Sequence, residues 1–304
     1  MIWLFDLLAA TLRNATPLVY GTTGETVTER SGILNLGIEG TMYAGAFAGF
    51  AVTWQTGEPL LGLAAAIVVG LLAGAAMGVL TVTLGANQPV SGLGMTIALD
   101  GLSEFANRLM LSGSQAPRIE PMERWDPLAG LGEVGAVAQQ YGLTYVAFLL
   151  VVPAAWWLLE RTPLGLSIRA VGEDPEAADS AGISVTRVRY FALMLGGALM
   201  AVGGAFLTLA VLGTFTLDII AGRGWVCIAL VIFGRWRIGR GVLGALLFSF
   251  VYSLGLRLQI LEGWSAIPPE VMLALPYLAV IAALAISGRN VAYPGAYLKP
   301  YRRS

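Results

Sequence analysis

Histidine is absent from the 304 residues, cysteine and lysine occur once each, as Cys227 and Lys299, and only 12% of residues are charged. Without histidine there are no imidazole general bases, no histidine proton relays and no histidine metal sites. One cysteine excludes an intrachain disulfide and a cysteine-rich metal site, and in its apolar run Cys227 reads as a small core hydrophobe. A phosphate-cradling loop of the form G-x-x-x-x-G-K-[ST] needs a lysine beside glycine, whereas Lys299 sits in a Tyr/Pro/Arg tail. If ATP drives this protein, another chain must bind it. The same absences count against an intramembrane enzyme, whose Ser/Lys dyad would have to use Lys299. They leave no catalytic residue and no metal ligand to assign.

What is present is apolar: 57% of the chain is hydrophobic and the mean hydropathy is +0.74. A soluble domain carries about a quarter charged residues because its surface faces water. Here the apolar residues come in blocks of about twenty, the length that crosses a bilayer core. The blocks are Leu4–Thr23, Ile33–Trp54, Leu60–Leu84, Pro89–Leu111, Leu143–Leu159, Tyr190–Val211, Gly222–Phe233, Val242–Leu261 and Glu270–Ile286. Gly222–Phe233 is too short for a straight crossing and predicts a half-span or re-entrant piece. Pro89–Leu111 is interrupted by Asp100, Glu104 and Arg108, which share one helical stripe; pairing within the helix is the simpler expectation and a role toward solute the alternative. The fold class expected is all-α: one polytopic membrane helix bundle over residues 1–304, with about eight to ten crossings, some broken or re-entrant.

Basic residues orient such a bundle. With the C-terminal tail in the cytoplasm, Arg30, Arg161, Arg169, Arg187, Arg189, Arg235, Arg237, Arg240, Arg289, Lys299, Arg302 and Arg303 fall on that side. Arg118, Arg124 and Arg223 fall on the other. The opening Met1-Ile2-Trp3-Leu4 lacks a basic leader, so the first span is expected to be retained. Trp3, Trp54, Trp156, Trp157, Trp225, Trp236 and Trp264 stand near span ends, as interfacial aromatics do. A multi-pass location in the cell (cytoplasmic or inner) membrane follows.

Two connecting segments are longer than connectors need to be, an extracytoplasmic one over 112–142 and a cytoplasmic one over 160–189. Within the second, Glu173-Asp174-Pro175-Glu176-Ala177-Ala178-Asp179-Ser180-Ala181-Gly182 carries a helix signature. Asp174 suits the N-cap, Pro175 the first helical position, Glu176 the first turn and Gly182 the position past the end. A helix of about two turns is not stable alone. Ala177, Ala178 and Ala181 form a small-residue face, flanked by Glu173, Glu176 and Asp179. Two readings stand side by side, a solvated connector with a capped turn and a docking element for a partner. Arg187 and Arg189 lead from this loop into a span whose Gly196, Gly197, Gly203 and Gly204 permit close helix contact.

This loop, with Ile183-Ser-Val-Thr-Arg187-Val-Arg after it, resembles the coupling loop of permease subunits from ATP-binding-cassette importers. The branch is that of branched-chain amino acid, ribose/simple-sugar and nucleoside permeases. Glu29-Arg-Ser-Gly-Ile-Leu-Asn35-Leu-Gly-Ile-Glu39-Gly-Thr-Met is similar to the N-terminal motif of the nucleoside and simple-sugar subgroup. Gly222-Arg-Gly-Trp with Ala229-Leu-Val-Ile-Phe-Gly-Arg235-Trp is similar to its second-half motif. The similarity covers most of 16–289, and the charged run Asp100, Glu104, Arg108 departs from it. The resemblance implies uptake of a nucleoside or related simple sugar through a pathway completed by a second, different permease chain. It also implies ATP and Mg on separate ATPase subunits rather than a cofactor here, and an extracytoplasmic binding protein or lipoprotein docking near 112–142. Besides the lipid bilayer no other partner is expected, and no nucleic acid.

Polar side chains inside a membrane must face protein or a watery path. Asn35 and Glu39 share a helical face, amid Gly32, Gly37 and Gly40. Asn87-Gln88-Pro89 with Ser91-Gly-Leu-Gly reads as a broken helix, tolerated beside a cavity or within protein. Asn35, Glu39, Asn87, Gln88 and Ser91 are therefore either pathway residues or caps and interhelical bonds that never touch solute. The rival to an ATP-driven importer is an ion-coupled secondary transporter of a small polar solute, for which Glu39 and Asp100 would be the coupling acids.

Overall fold

The computed structural model describes residues 2–111, 117–128, 135, 137–259, 268–287 and 292–301. Leu261, Trp264, Arg289, Arg302 and Arg303, used above to set spans and orientation, lie outside the described residues. The long helices are α1 (Ile2–Arg30), α2 (Ile38–Thr56), α3 (Pro59–Thr83), α4 (Gln88–Leu111), α5 (Gly142–Arg161) and α8 (Val185–Leu212). After the short α6 (Pro163–Glu173) and α7 (Pro175–Ser180), which precede α8, come α9 (Arg223–Gly234), α10 (Ile238–Leu258) and α11 (Pro269–Ser287). A two-residue antiparallel pair, β1 (Arg124–Trp125) and β2 (Gln140–Tyr141), joins the ends of the segment before α5. The all-α membrane bundle expected from the sequence is what the chain forms. α9 is the half-length helix anticipated, and Pro89–Leu111 is one uninterrupted helix despite its charges.

Among the described residues four helices are long and apolar enough to cross a membrane by length and composition, α3, α5, α8 and α10. Helix α1 is not among them, and its position explains why. It packs against α8, α9 and α10, and its Thr16, Thr22, Thr23, Glu25, Thr26, Thr28 and Glu29 are all buried in protein. Facing neighbours rather than lipid, it can carry polar side chains that a lipid-facing helix cannot. The apolar run ended at Thr23; the helix continues to Arg30, because the residues that break the run have partners inside.

Close approach between helices is set by glycine. A Cβ on Gly204 would overlap the Met42 carbonyl of α2, and one on Gly197 would overlap the Gly70 carbonyl of α3. Backbones in contact replace the hydrophobic drive that lipid removes. The clamped α2, α3 and α8 form one side of the bundle.

The ends of the bundle are fixed by tertiary bonds. Arg30 Nε donates to the Trp236 carbonyl at 3.0 Å, and the Ala296 amide donates to the Gly172 carbonyl at 2.9 Å. The end of α1, the α9–α10 turn, α6 and the C-terminal tail therefore share one end. At the other end Arg257 donates to the Trp3 carbonyl at 3.1 Å and pairs with Asp6 at 3.9 Å. Residues 117–128 fold there over the end of α8, through Ile119 to Gly213 and Met122 to Leu209, both at 2.8 Å. Trp3 thus stands at the end opposite the tail, an orientation the sparse N-terminal charges left open.

Trp236 corrects the aromatic reading. It is 2% exposed and donates its indole Nε1 to Glu29 at 2.6 Å, so it packs inside rather than at an interface.

Candidate coupling and pathway sites

The candidate coupling segment, α6 and α7, is built from caps. Thr162 opens α6 by accepting the Gly165 amide at 3.0 Å. Asp174 ends α6 and starts α7, its Oδ1 accepting the amides of Glu176 at 3.1 Å and Ala177 at 3.0 Å. Pro175 fills the first position, where its missing N–H costs nothing. Gly182 takes φ +86 while Ile183 donates back to the Ala178 carbonyl at 3.0 Å, the closure that needs a residue free to turn left-handed. Ala177, Ala181, Glu173, Asp174 and Glu176 are exposed, and Pro175 and Asp179 are half-buried. Ala178 differs from the small-residue face expected: it is 4% exposed and belongs to the chain's own core. A partner can reach Ala177 and Ala181 but not Ala178.

The base of this segment is tied to α1 and to the tail. The Gly295 amide donates to Glu173 Oε2 at 3.1 Å, beside the Gly172–Ala296 bond. A Cβ on Gly172 would overlap the Arg30 carbonyl. Arg189, fully buried, donates from Nε to the Ser31 carbonyl at 3.3 Å. Tyr297 of the tail sits by Glu29, and burial, reinforced by that acid and Glu25, pushes its phenol far above the ordinary value, so it stays protonated.

Between α1 and α2 the chain at 31–37 is non-helical and buried, so its amides need partners. The Leu34 amide donates to Gln88 Oε1 and the Asn35 amide to Glu25 Oε1, both at 2.9 Å. Asn35 Oδ1 accepts the Gly37 amide at 3.0 Å. Asn35 and Gln88 are thus brought together around one break and hold it. Asn87 does something different: exposed, it accepts the Val90 amide at 3.1 Å and caps α4, and Ser91 lies half-buried in the first turn. The interruption lies at 84–87, ahead of the helix. Glu25, which supports the same break, was not singled out from the sequence; its four-residue spacing from Glu29 on a buried helix was the available signal.

Glu39 stands apart from these. Its Oε1 accepts the Gly222 amide and its Oε2 the Gly224 amide, each at 2.7 Å. Both amides belong to the start of α9, where free N–H groups and the helix dipole favour an anion. The loop before it is bent hard: Asp218 has φ 58, Ala221 φ 51 and Gly222 φ 79. A left-handed alanine costs about 1–3 kcal/mol and persists only when its surroundings hold it. Here Tyr277 Oη donates to the Ala221 carbonyl at 3.0 Å on one side, and Glu39 grips Gly222 on the other. Glu104 pairs with Arg108 at 3.8 Å, whereas Asp100 lines one cavity with Glu39. Among the described residues no cluster of three or more Cys, Asp and Glu could hold a metal ion.

The comparisons agree with this architecture. A family profile described as "Branched-chain amino acid transport system / permease component" matches residues 7–284. TsgC13 of Haloferax volcanii, provisionally named a glucose ABC transporter permease protein, is 36% identical over 98% of this chain and 97% of its own. NupQ of Bacillus subtilis, a guanosine ABC transporter permease protein, is 33% identical over 91% of this chain and 90% of its own. NupC of Lactococcus lactis, a nucleoside ABC transporter permease protein, is 32% identical over 92% and 91% respectively. No solved structure matches the chain at a significant level. With 278 of its residues inside the profile and relatives aligned nearly end to end, this multi-pass membrane chain belongs to the branched-chain amino acid transport system permease family, the transport subunits of ABC importers.

Proposed function

We propose that the chain, as one transmembrane domain, forms part of the pathway by which an ABC importer takes up a nucleoside or related simple sugar. The observation that carries this is the capped helix α7, whose exposed Ala177 and Ala181 stand at the tail end while its base is bonded to α1 and the tail. The names of the relatives support the solute class, glucose for one, guanosine for another and nucleosides for a third. The tail end faces the cytoplasm of the cell (inner) membrane, and separate ATPase subunits bind ATP and Mg there and press on Glu173–Gly182. A binding protein delivers solute at the opposite end, near 112–142. A second, different permease chain covers α4, whose Val90, Ile97, Leu102 and Phe105 are exposed along its length.

Movement of α7 would run through Gly172 to the Arg30 backbone, then to the 31–37 break held by Glu25 and Gln88, and from Asn35 to Glu39 and the start of α9. Coupling needs a partner that engages two states differently. The experiment is reconstitution of the complete importer with Ala177→Trp and Ala181→Trp. Both variants should insert normally yet lose ATPase capture and solute-stimulated ATP hydrolysis. Wild-type stimulation in both would remove α7 as the coupling element.

A further inference from the structure

We propose that a cavity lined by Glu39, Tyr43, Asp100, Glu104 and Asp218 is the point inside the membrane where the hydroxyl groups of the transported solute are read. This rests on the importer reading above and adds to it the site and the chemistry of recognition.

The cavity measures about 120 Å³ and lies between α2, α4 and the loop before α9. Its depth follows from α9: twelve residues separate Glu39's contact from the tail end, about 18 Å at helical rise, near the middle of a bilayer core of about 30 Å. Carboxylates at that depth are costly unless they serve a path. Glu39 is occupied by the amides of Gly222 and Gly224 and Glu104 is paired with Arg108, but Asp100 Oδ1 is buried with no hydrogen-bond partner among the described residues. A second observation is independent of the acids. Tyr43 is 5% exposed, lines the cavity, and its phenolic oxygen also has no hydrogen-bond partner among the described residues.

These groups ask for hydrogen-bond donors from a ligand. Carboxylates accept only, and a phenol both donates and accepts, a set that suits adjacent hydroxyls on a sugar ring. Hydroxyls bonded to a carboxylate make short, charge-assisted bonds. The Tyr43 ring is the aromatic part of the lining, held from behind by Phe215 at 5.0 Å, itself 5.3 Å from Phe47, and with Ile220 it gives an apolar surface for the C–H side of such a ring. The neighbouring arginine sends its hydrogen bonds away from the cavity acids. Arg223 donates to the Ile219 and Ile220 carbonyls at 3.2 and 3.0 Å and stands over Tyr252.

The test uses the complete importer in proteoliposomes, with ribonucleosides, hexoses and their mono-deoxy analogues as radiolabelled probes. Wild type should prefer the fully hydroxylated probe. Asp100→Asn and Tyr43→Phe should each lower its uptake by about tenfold or more and shrink the preference over the deoxy analogue, in complexes that co-purify in normal amount. Tyr43→Phe keeps the ring, so it reports on the hydroxyl alone if Asp100→Asn fails to assemble. Unchanged discrimination in both variants overturns the cavity assignment and leaves the importer reading standing. Uptake that follows a sodium or proton gradient, or competition by an organic cation in place of the polyol, also overturns it. A wild-type complex that imports neither probe class with ATP overturns the importer reading itself.

Discussion

The carboxylate of Glu29 accepts the indole N–H of Trp236 at 2.6 Å, across 207 residues of sequence and with both side chains buried. The bond fastens the end of α1 to the α9–α10 turn, where Arg235 and Trp236 are both left-handed, at φ 51 and 55. Tyr293 and Tyr297 of the tail pack edge-on against the same indole at 5.0 and 6.0 Å. The bond and the ring packing together hold three segments at the end where α7 is anchored.

Trp236→Phe keeps an aromatic ring but removes the donor, leaving a buried carboxylate one partner short. The expected cost is about 1–3 kcal/mol, seen as a lower melting temperature of the purified permease in nanodiscs. Glu29→Gln with Trp236→Phe should cost less than the two single changes added, because the pair acts as a unit. Additive costs would mean the contact contributes nothing.

The start of α9 depends on Glu39 in a different way. Glu39→Ala removes the acceptor from the Gly222 and Gly224 amides and one of the two holds on the left-handed Ala221. Hydrogen exchange at residues 222–226 should speed up by about tenfold, with little change in α3 or α8. Glu39→Gln, which keeps a carbonyl acceptor, should fall between. Uniform exchange across the three proteins would contradict a local latch.

Much of this was legible in the sequence, and the limits have a physical cause. Helix positions follow from apolar runs, and the caps of α7 follow from Asp174, Pro175 and Gly182, because such signals act within a few residues. The half-helix announced itself by its length. What could not be read were pairings between polar groups far apart in the chain: Gln88 with Leu34, Glu29 with Trp236, Glu39 with Gly222. In an apolar surrounding such groups must find partners, but spacing alone does not say which. Glu25 and Glu29 lie past the apolar run Leu4–Thr23 and are the buried continuation of its helix. For the small face over Ala177, Ala178 and Ala181, helical spacing gave the face but not that the chain's own core takes up Ala178.

Glycine-mediated contact between α2 and α8 gives a further prediction. Gly204→Leu places a side chain where the Met42 backbone lies, and no rotamer avoids it, because the overlap begins at Cβ. Overpacking of this kind costs about 1–3 kcal/mol, and more where the backbone must shift. The permease should melt lower and yield less folded protein, while Gly94→Leu on α4, where a Cβ meets nothing within 4 Å, should change melting little. Equal effects at the two positions would mean that helix contact is not what Gly204 provides.

The cap of α7 separates charge from geometry. Asp174 accepts two amides at the start of a six-residue helix, and α7 has too few turns to hold itself together without them. Asp174→Ala should remove about 0.5–2 kcal/mol from the local fold, enough to fray α7 while leaving the bundle's melting temperature unchanged. Solute uptake per ATP hydrolysed should then fall several-fold in the reconstituted importer. Asp174→Asn keeps an acceptor of equal capping strength and discards the negative charge, so it should couple as wild type does. If asparagine fails as badly as alanine, the carboxylate is meeting a cationic group of the ATPase directly, and the helix cap is incidental to coupling.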